Sequence, residues 1–374
     1  MDKLGLIILA GGLSTRMGQP KALLSWVGGE SLISHALRKG LDADVHDILI
    51  SIGDDEQLGH AIQTHIIDTL SNDEQEKVSI VRDSVERCGP LGGLYSTLAV
   101  GPSPAYAVMA VDMPFMEMDL YFDWLYQVEH NDWNAIVPYG ESGKKEPMAG
   151  IYRTHIASLI QSALVGEDMS LHHALDVIGH VEPVDASDYT WELSNINRFE
   201  DYQWARALAE NEFRRVPLIS VVASKRKTGK TTVVTRLVSE LQRVGLSVGV
   251  VKSDKHGFQM DYDGTDTDLM YKAGADAVAI AGPTETAIRI RTKEQSSLYD
   301  LTQHMPVDIV ILETRSQGIA PIIEVTQEGY TEELISDAMD RVATIEIGKL
   351  DQDVPELVRH IQEMIRSLHG RRYC

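Results

Sequence analysis

Apolar and polar positions alternate along this chain in two different periods, and the two periods take turns. Gly5–Ala10 is a continuous apolar run, as a strand buried on both faces requires, and Ser31–Leu41 then carries apolar residues at helical spacing. Strand-like runs follow at Asp47–Ile52, Val78–Arg82 and Ala105–Val111, with helical patterns at Leu91–Val100 and Leu120–Glu129. Ala135–Pro138 and Met148–Tyr152 read as later strands. The alternation then restarts. Pro217–Ala223 is apolar and β-branched, Thr231–Val244 is helical, and Gly245 suits the end of that helix. Ser247–Val251, Ala277–Ala281 and Val307–Leu312 read as strands, Thr267–Ala273 and Val354–Leu368 as helices. Strand–helix alternation predicts an α/β protein of two doubly wound domains. The first is a Rossmann-like fold over 1–205 and the second a P-loop fold over 216–374, with residues 206–215 as a helical connector between them.

Bulk properties narrow the partners. The chain has 374 residues, enough for two full cores, and a formal net charge of -22. That balance argues against general nucleic-acid binding, which needs a basic face. Two cysteines, Cys88 and Cys374, give neither a disulfide framework nor a zinc spacing and fit a reducing, cytoplasmic setting. The apolar start, Leu4 to Ala10, is brief and runs into a Gly-rich loop, so a buried strand is expected there in place of a signal peptide. No run approaches the ~20 apolar residues of a membrane span.

The chemistry concentrates where strands end. Leu9-Ala10-Gly11-Gly12 opens a loop that continues through Arg16 to Lys21. The glycine pair allows a tight turn and close approach of backbone N–H groups to a phosphate, and two cations follow it. Arg16 and Lys21 are thus candidate catalytic cations for phosphate oxygens. Asp83 follows a short strand and precedes Gly89-Pro90-Leu91-Gly92-Gly93. A carboxylate there can accept from the N1–H and 2-amino donors of guanine while bare glycine backbone, Gly92 included, meets the flat base. Asp112, at the end of an apolar strand, is a candidate catalytic residue and Mg²⁺ ligand. Asn195 and Asn197 can supply amide contacts; they equally suit the start of the next helix.

The second restart carries Ser224-Lys225-Arg226-Lys227-Thr228-Gly229-Lys230-Thr231-Thr232. Gly229, Lys230, Thr231 and Thr232 match the end of a phosphate-binding P-loop, with Ser224 in the place of the first glycine, which would be strained at positive φ. Lys230 would reach the phosphates and Thr231 the Mg²⁺. Glu313, closing the strand Val307–Leu312, stands where a second metal carboxylate is expected. His256 reads as a polar residue at the edge of the site.

With those motifs in hand, residues 3–205 resemble the molybdenum cofactor guanylyltransferase family of MobA type, and residues 216–345 resemble the MobB family of GTP-binding accessory proteins. The resemblance implies Mg²⁺-dependent transfer of GMP from GTP to molybdopterin, giving molybdopterin guanine dinucleotide and pyrophosphate. A GTP-binding adaptor, with slow GTP hydrolysis as a further expectation, would follow in the second half. It also implies molybdoenzymes, cofactor chaperones and other cofactor-biosynthesis proteins as partners, and a homodimer through the C-terminal domain. The chain departs from these families at Gly53-Asp54, where an Asn is usual, and at Thr314-Arg315-Ser316, where Gly-Phe-Lys is common. A cytidylyl- or sugar-phosphate nucleotidyltransferase with a P-loop domain remains open, as does a GTP-gated module for cofactor delivery.

Overall fold

The computed structural model describes residues 3–11, 20–85, 88–128, 132–164, 168–225, 227–253, 261–293, 296–314, 318–327, 329 and 334–372. The chain forms two compact units, Met1–Tyr202 and Gln203–Cys374, and the division falls inside the helix Phe199–Glu212.

The first unit is built on a sheet of seven strands: β1 Leu4–Leu9, β2 Ile48–Ser51, β3 Val78–Val81, β4 Ala105–Ala110, β5 Ala135–Tyr139, β6 Ile151–Arg153 and β7 Val181–Asp185. They lie in the order β3-β2-β1-β4-β6-β5-β7. All pairs are parallel except those made by β6, which runs antiparallel to both β4 and β5. Alternate side chains leave β1 for opposite faces, and each face is covered. Ile7 and Leu9 join Leu91, Leu94 and Leu98 of the helix Gly89–Val100 in one core. On the other face Leu6 and Ile48 meet the helix Leu32–Asp42 at Gly40, where a Cβ would stand 2.6 Å from Leu6 Cδ2. The fold is therefore doubly wound, as the alternation of periods predicts. The order reverses between β1 and β4, so the crevice outside their carboxyl ends is the expected ligand position.

The second unit has a parallel sheet of five strands: β8 Leu218–Val222, β9 Val248–Lys252, β12 Ile309–Glu313, β13 Ile322–Thr326 and β14 Arg341–Glu346, in the order β14-β13-β8-β12-β9. The helix Lys230–Arg243 leaves the loop after β8. Two readings from the sequence need correction. Ala277–Ala281 is a strand (β10), but among the described residues it pairs only with β11 Thr286–Ile290, in a separate antiparallel ribbon outside the parallel sheet. Its residues are mostly exposed, unlike those of a central strand. The run Met148–Tyr152 is a strand only from Ile151; Pro147–Ala149 forms a 3-10 turn, because a Pro at its head cannot donate to the ladder.

Candidate functional site

In the first unit, four parallel strands bring their carboxyl ends to one edge in register. Leu9 of β1 is level with Ser51 of β2 and Ala110 of β4, and Ser51 with Val81 of β3. Leu9, Ala10 and Gly11 leave β1 at the reversal point. Ala10 and Gly11 donate their N–H groups to the carbonyl of Ser51 at 2.8 and 2.9 Å. Gly11 lies so close to the backbone of 52–53 that a Cβ would fall 2.6 Å from Gly53 N. Close backbone approach is thus a steric requirement at this glycine. Gly12 and Arg16 lie outside the described residues.

Lys21 stands at the start of a 3-10 turn after Pro20. Its ammonium reaches Asp112 Oδ2 at 2.9 Å and the carbonyl of Ile196 at 2.7 Å. The Ile196 N–H in turn donates to the Asp112 carbonyl at 2.8 Å. Asp112 sits just past β4, so a residue early in the chain, one in its middle and one 175 positions beyond Lys21 meet at a single point. Both charged side chains are about a fifth exposed, at 21% and 18%. The carboxylate is a hard oxygen donor of the kind that suits Mg²⁺.

Ile196 carries Asn195 and Asn197 beside it. Asn195 Oδ1 is buried with no hydrogen-bond partner among the described residues. Asn197 is exposed, and its backbone N–H, like that of Arg198, is accepted by Asp201 Oδ2. So Asp201, not either asparagine side chain, satisfies the start of the following helix. The structure brings the backbone of Ile196, next to Asn195, to the Lys21–Asp112 pair and leaves Asn197 exposed.

Asp83 lies at the same edge, two residues past β3. Its N–H donates to Gly53 O at 2.8 Å, and its Oδ1 accepts from Ser51 Oγ at 3.1 Å. Burial raises its pKa above the ordinary Asp value; the Ser51 bond opposes this, and nearby Asp54 adds to it. Gly92, in the first turns of the helix Gly89–Val100, faces that carboxylate: a Cβ would sit 3.2 Å from Asp83 Oδ2. No motif marks Ser51, which reads as the plain end of an apolar strand. None marks Lys39 either, whose ammonium holds the carbonyls of Pro114 and Met116 at 2.7 and 2.8 Å, just after Asp112.

The second unit has a comparable edge. An open cleft of about 530 Å³ is lined by Gly229, Lys230, Thr231, Thr232, Lys252 and Glu313, among others. Gly229 has φ 98, a conformation that favours glycine, and a Cβ there would also strike Ile347. Ser224 is not among the described residues at positive φ; Lys227 is, at 60. The strain expected of a missing glycine therefore falls three residues later than the motif suggests. Lys230 is buried, and Thr231 Oγ1 donates to Glu313 Oε1 at 3.1 Å. Lys252, level with Glu313 on the neighbouring strand, places its ammonium 3.4 Å from the same oxygen. Hydroxyl and carboxylate make an all-oxygen donor set that fits Mg²⁺. His256 and Arg315-Ser316 lie outside the described residues.

Comparison with known proteins agrees with this division. Residues 6–180 match the family described as MobA-like NTP transferase domain, and residues 218–346 match Molybdopterin guanine dinucleotide synthesis protein B. A relative from Bacillus cereus (strain G9842), "Probable molybdenum cofactor guanylyltransferase", is 28% identical over 215 residues, which is 57% of this chain and 100% of that protein. Among solved structures, Molybdopterin-guanine dinucleotide biosynthesis protein A from Archaeoglobus fulgidus is 18% identical, covers 55% of this chain and 98% of its own, and has a TM-score of 0.45. A MobB protein homolog from Bacillus stearothermophilus is 18% identical, covers 39% and 98%, and has a TM-score of 0.29. No helix among the described residues is long and apolar enough to cross a membrane. The chain thus joins a nucleotidyltransferase domain of the MobA-like NTP transferase family to a domain of the Molybdopterin guanine dinucleotide synthesis protein B family.

Proposed function

We propose that the first unit transfers GMP from GTP to the terminal phosphate of molybdopterin, making molybdopterin guanine dinucleotide and pyrophosphate. The observation that carries this reading is the ammonium of Lys21 held between Asp112 and Ile196 O beside the glycine turn after β1. An oxygen of the molybdopterin phosphate forms a bond to the α-phosphorus of GTP, and the bond from that phosphorus to the oxygen bridging to the β-phosphate breaks. The attacking oxygen is already anionic, so no general base is required. What the site must supply is positive charge and alignment. Lys21, with Arg16 in the loop ahead of it, offsets the charge of the incoming and departing phosphates, while Gly11 packs the start of that loop against the backbone of 52–53. Mg²⁺ held by Asp112 would supply further charge neutralisation. Asp83 accepts from the guanine edge over Gly92, and Asn195 and Asn197 supply amide contacts.

The second unit acts in this proposal as a GTP-binding adaptor with slow hydrolysis. Lys230 takes the phosphates on the backbone of Gly229 to Thr232, and Thr231 and Glu313 are the residues that would hold Mg²⁺. Self-association through this unit, and delivery of the product to molybdoenzymes or their chaperones in the cytoplasm, belong to the same reading.

The test is direct. Purified full-length protein is incubated with molybdopterin, Mg²⁺ and either GTP or CTP, and the product is identified by mass. The expected product is the guanine dinucleotide, with Asp112→Asn slower by about a hundredfold or more and still folded. Preference for CTP, or an Asp112→Asn variant as fast as the parent at saturating Mg²⁺, would refute it.

A further inference from the structure

Ser51 occupies an unusual position for a residue with no motif around it. It closes β2, is 3% exposed, and serves both ends of the candidate nucleotide site. Its carbonyl accepts from Ala10 and Gly11, where the phosphate loop leaves β1. Its hydroxyl donates to Asp83 Oδ1 at 3.1 Å. The helix Gly89–Val100 rests on it only because residue 93 is glycine: a Cβ there would come within 2.5 Å of Ser51 Oγ.

We infer that Ser51 is a positioning residue for guanine selection: its hydroxyl fixes the Asp83 carboxylate to receive the N1–H and 2-amino donors, and its carbonyl fixes the departure of the phosphate loop. The inference rests on the reading of Asp83 as the base acceptor. A carboxylate has about four lone-pair sites, so one bond from Ser51 leaves the rest for the base while removing rotation of the group. Gly92 and Gly93 leave the facing surface without side chains, so the oriented carboxylate meets a flat ligand unobstructed. The hydroxyl bond also favours the charged form of Asp83 against the effect of burial, and the charged form is the acceptor a guanine edge needs. Truncation to Ala removes the hydroxyl alone and leaves the backbone bonds to Ala10 and Gly11 available.

The experiment measures kcat and KM of the full-length protein with GTP and with ITP, which lacks the 2-amino group, using Mg²⁺ and molybdopterin. The parent, Ser51→Ala, Asp83→Asn and the double variant are compared. Ser51→Ala should lower kcat/KM for GTP about tenfold, mainly through KM, and lower that for ITP by a smaller factor of about threefold, because ITP keeps the N1–H donor and lacks the 2-amino group. The double variant should match Asp83→Asn within about twofold, because the two side chains act as one unit. An equal loss for GTP and ITP would mean that Ser51 merely packs the loop, and would overturn the inference. So would an unchanged GTP value, or losses that multiply in the double variant. If Asp83→Asn itself keeps the parent GTP-to-ITP ratio, the base assignment falls, and the inference about Ser51 falls with it.

Discussion

Lys21→Met is the sharpest single perturbation of the first site, since it keeps the length of the stem and removes the charge. Two of the ammonium's bonds are known in detail, 2.9 Å to Asp112 Oδ2 and 2.7 Å to Ile196 O. Charge-assisted bonds contribute about 1.5–3 kcal/mol each when shielded, but partly exposed pairs fall toward the lower end. With Lys21 21% exposed and Asp112 18% exposed, a combined loss of about 2–3 kcal/mol is expected. In a unit of this size that lowers the thermal midpoint by about 5–10 °C. The effect on turnover should be larger. Removing one preorganised group at a site of developing negative charge typically slows reaction about 10²–10³-fold. The assay pairs pyrophosphate release at saturating GTP and Mg²⁺ with a melting curve, on Lys21→Met, Asp112→Asn and the double variant. Much of the stability loss in Lys21→Met comes from leaving Asp112 without its ammonium, so the double variant should regain stability yet remain slow. Turnover of Lys21→Met within about tenfold of the parent would refute the catalytic argument. A double variant that recovers rate together with stability would show Lys21 to be only a strut.

Three further outcomes follow from the same structure. Asp83 has a raised pKa through burial, so the folded state holds its proton more tightly than the unfolded chain. Its contribution to stability is full below the ordinary carboxylate range and is lost as pH rises through the folded value, so Asp83→Asn should melt slightly higher at neutral pH while losing guanine preference. A lower melting point at neutral pH would contradict this. His35 is lowered to about 4 by burial first and by Lys39 next. The unfolded chain then takes up the proton that the folded one refuses, so stability is full above about pH 6.5 and declines toward pH 4, by about 2–3 kcal/mol at most. Denaturant titrations should show His35→Gln lacking that share of the decline, and an identical pH slope in the variant would rule the assignment out. Finally, Ile288 and Ile290 on the β10–β11 ribbon are 64% and 63% exposed. Arg289 between them faces the helix Asp266–Lys272, so the two isoleucines stand on the opposite face of the ribbon, and that face is proposed to pair with a second copy. Ile288→Glu with Ile290→Glu should halve the mass seen by sedimentation, and an unchanged mass would exclude this surface.

The residues that the sequence exposed most clearly are those whose role is local. Gly11, Gly229 and Lys230 sit in short loops between an apolar strand and a helix, and both the loop and its neighbours are visible in the order of residues. Asp112 and Glu313 were legible for a related reason: each ends or follows an apolar strand, and parallel strands bring their ends to one edge. What stayed hidden is chemistry made by contact across the fold. Nothing local marks Ser51 as the neighbour of Asp83, or Ile196 O as an acceptor for Lys21. Short polar helices were hidden for another reason. Asn72–Lys77 has no buried residue and so no apolar period; it is held by the reciprocal bonds of Ser71 and Glu74, a pattern the sequence does contain. The strand β13 was obscured by Glu324, which is 1% exposed yet satisfied by the N–H groups of Ile335 and Ser336 and by the Ser336 hydroxyl. A buried charge breaks an apolar run on paper, although its hydrogen bonds make it tolerable in the core.

A net charge of -22 opposes the approach of an anionic ligand, and both candidate sites offset it in the same way. Charges farther than about 10 Å are largely screened at ordinary ionic strength, so the groups within the cleft decide the local sign. Each strand-end acid is set against an ammonium from another element: Asp112 against Lys21 at 2.9 Å, and Glu313 against Lys252 at 3.4 Å. A bare carboxylate in either place would repel a triphosphate, by about 4 kcal/mol for unit charges 4 Å apart at an intermediate dielectric. Pairing cancels most of that repulsion before any ligand arrives. The two units share no loop motif, yet both set a strand-end acid against a lysine, from a 3-10 turn in the first unit and from the neighbouring parallel strand in the second. Raising ionic strength should therefore weaken distant steering of GTP while leaving these close pairs nearly intact. A KM that rises modestly with salt, with kcat almost constant, is the expected signature; a steep fall in kcat would mean that the pairs themselves are exposed to screening.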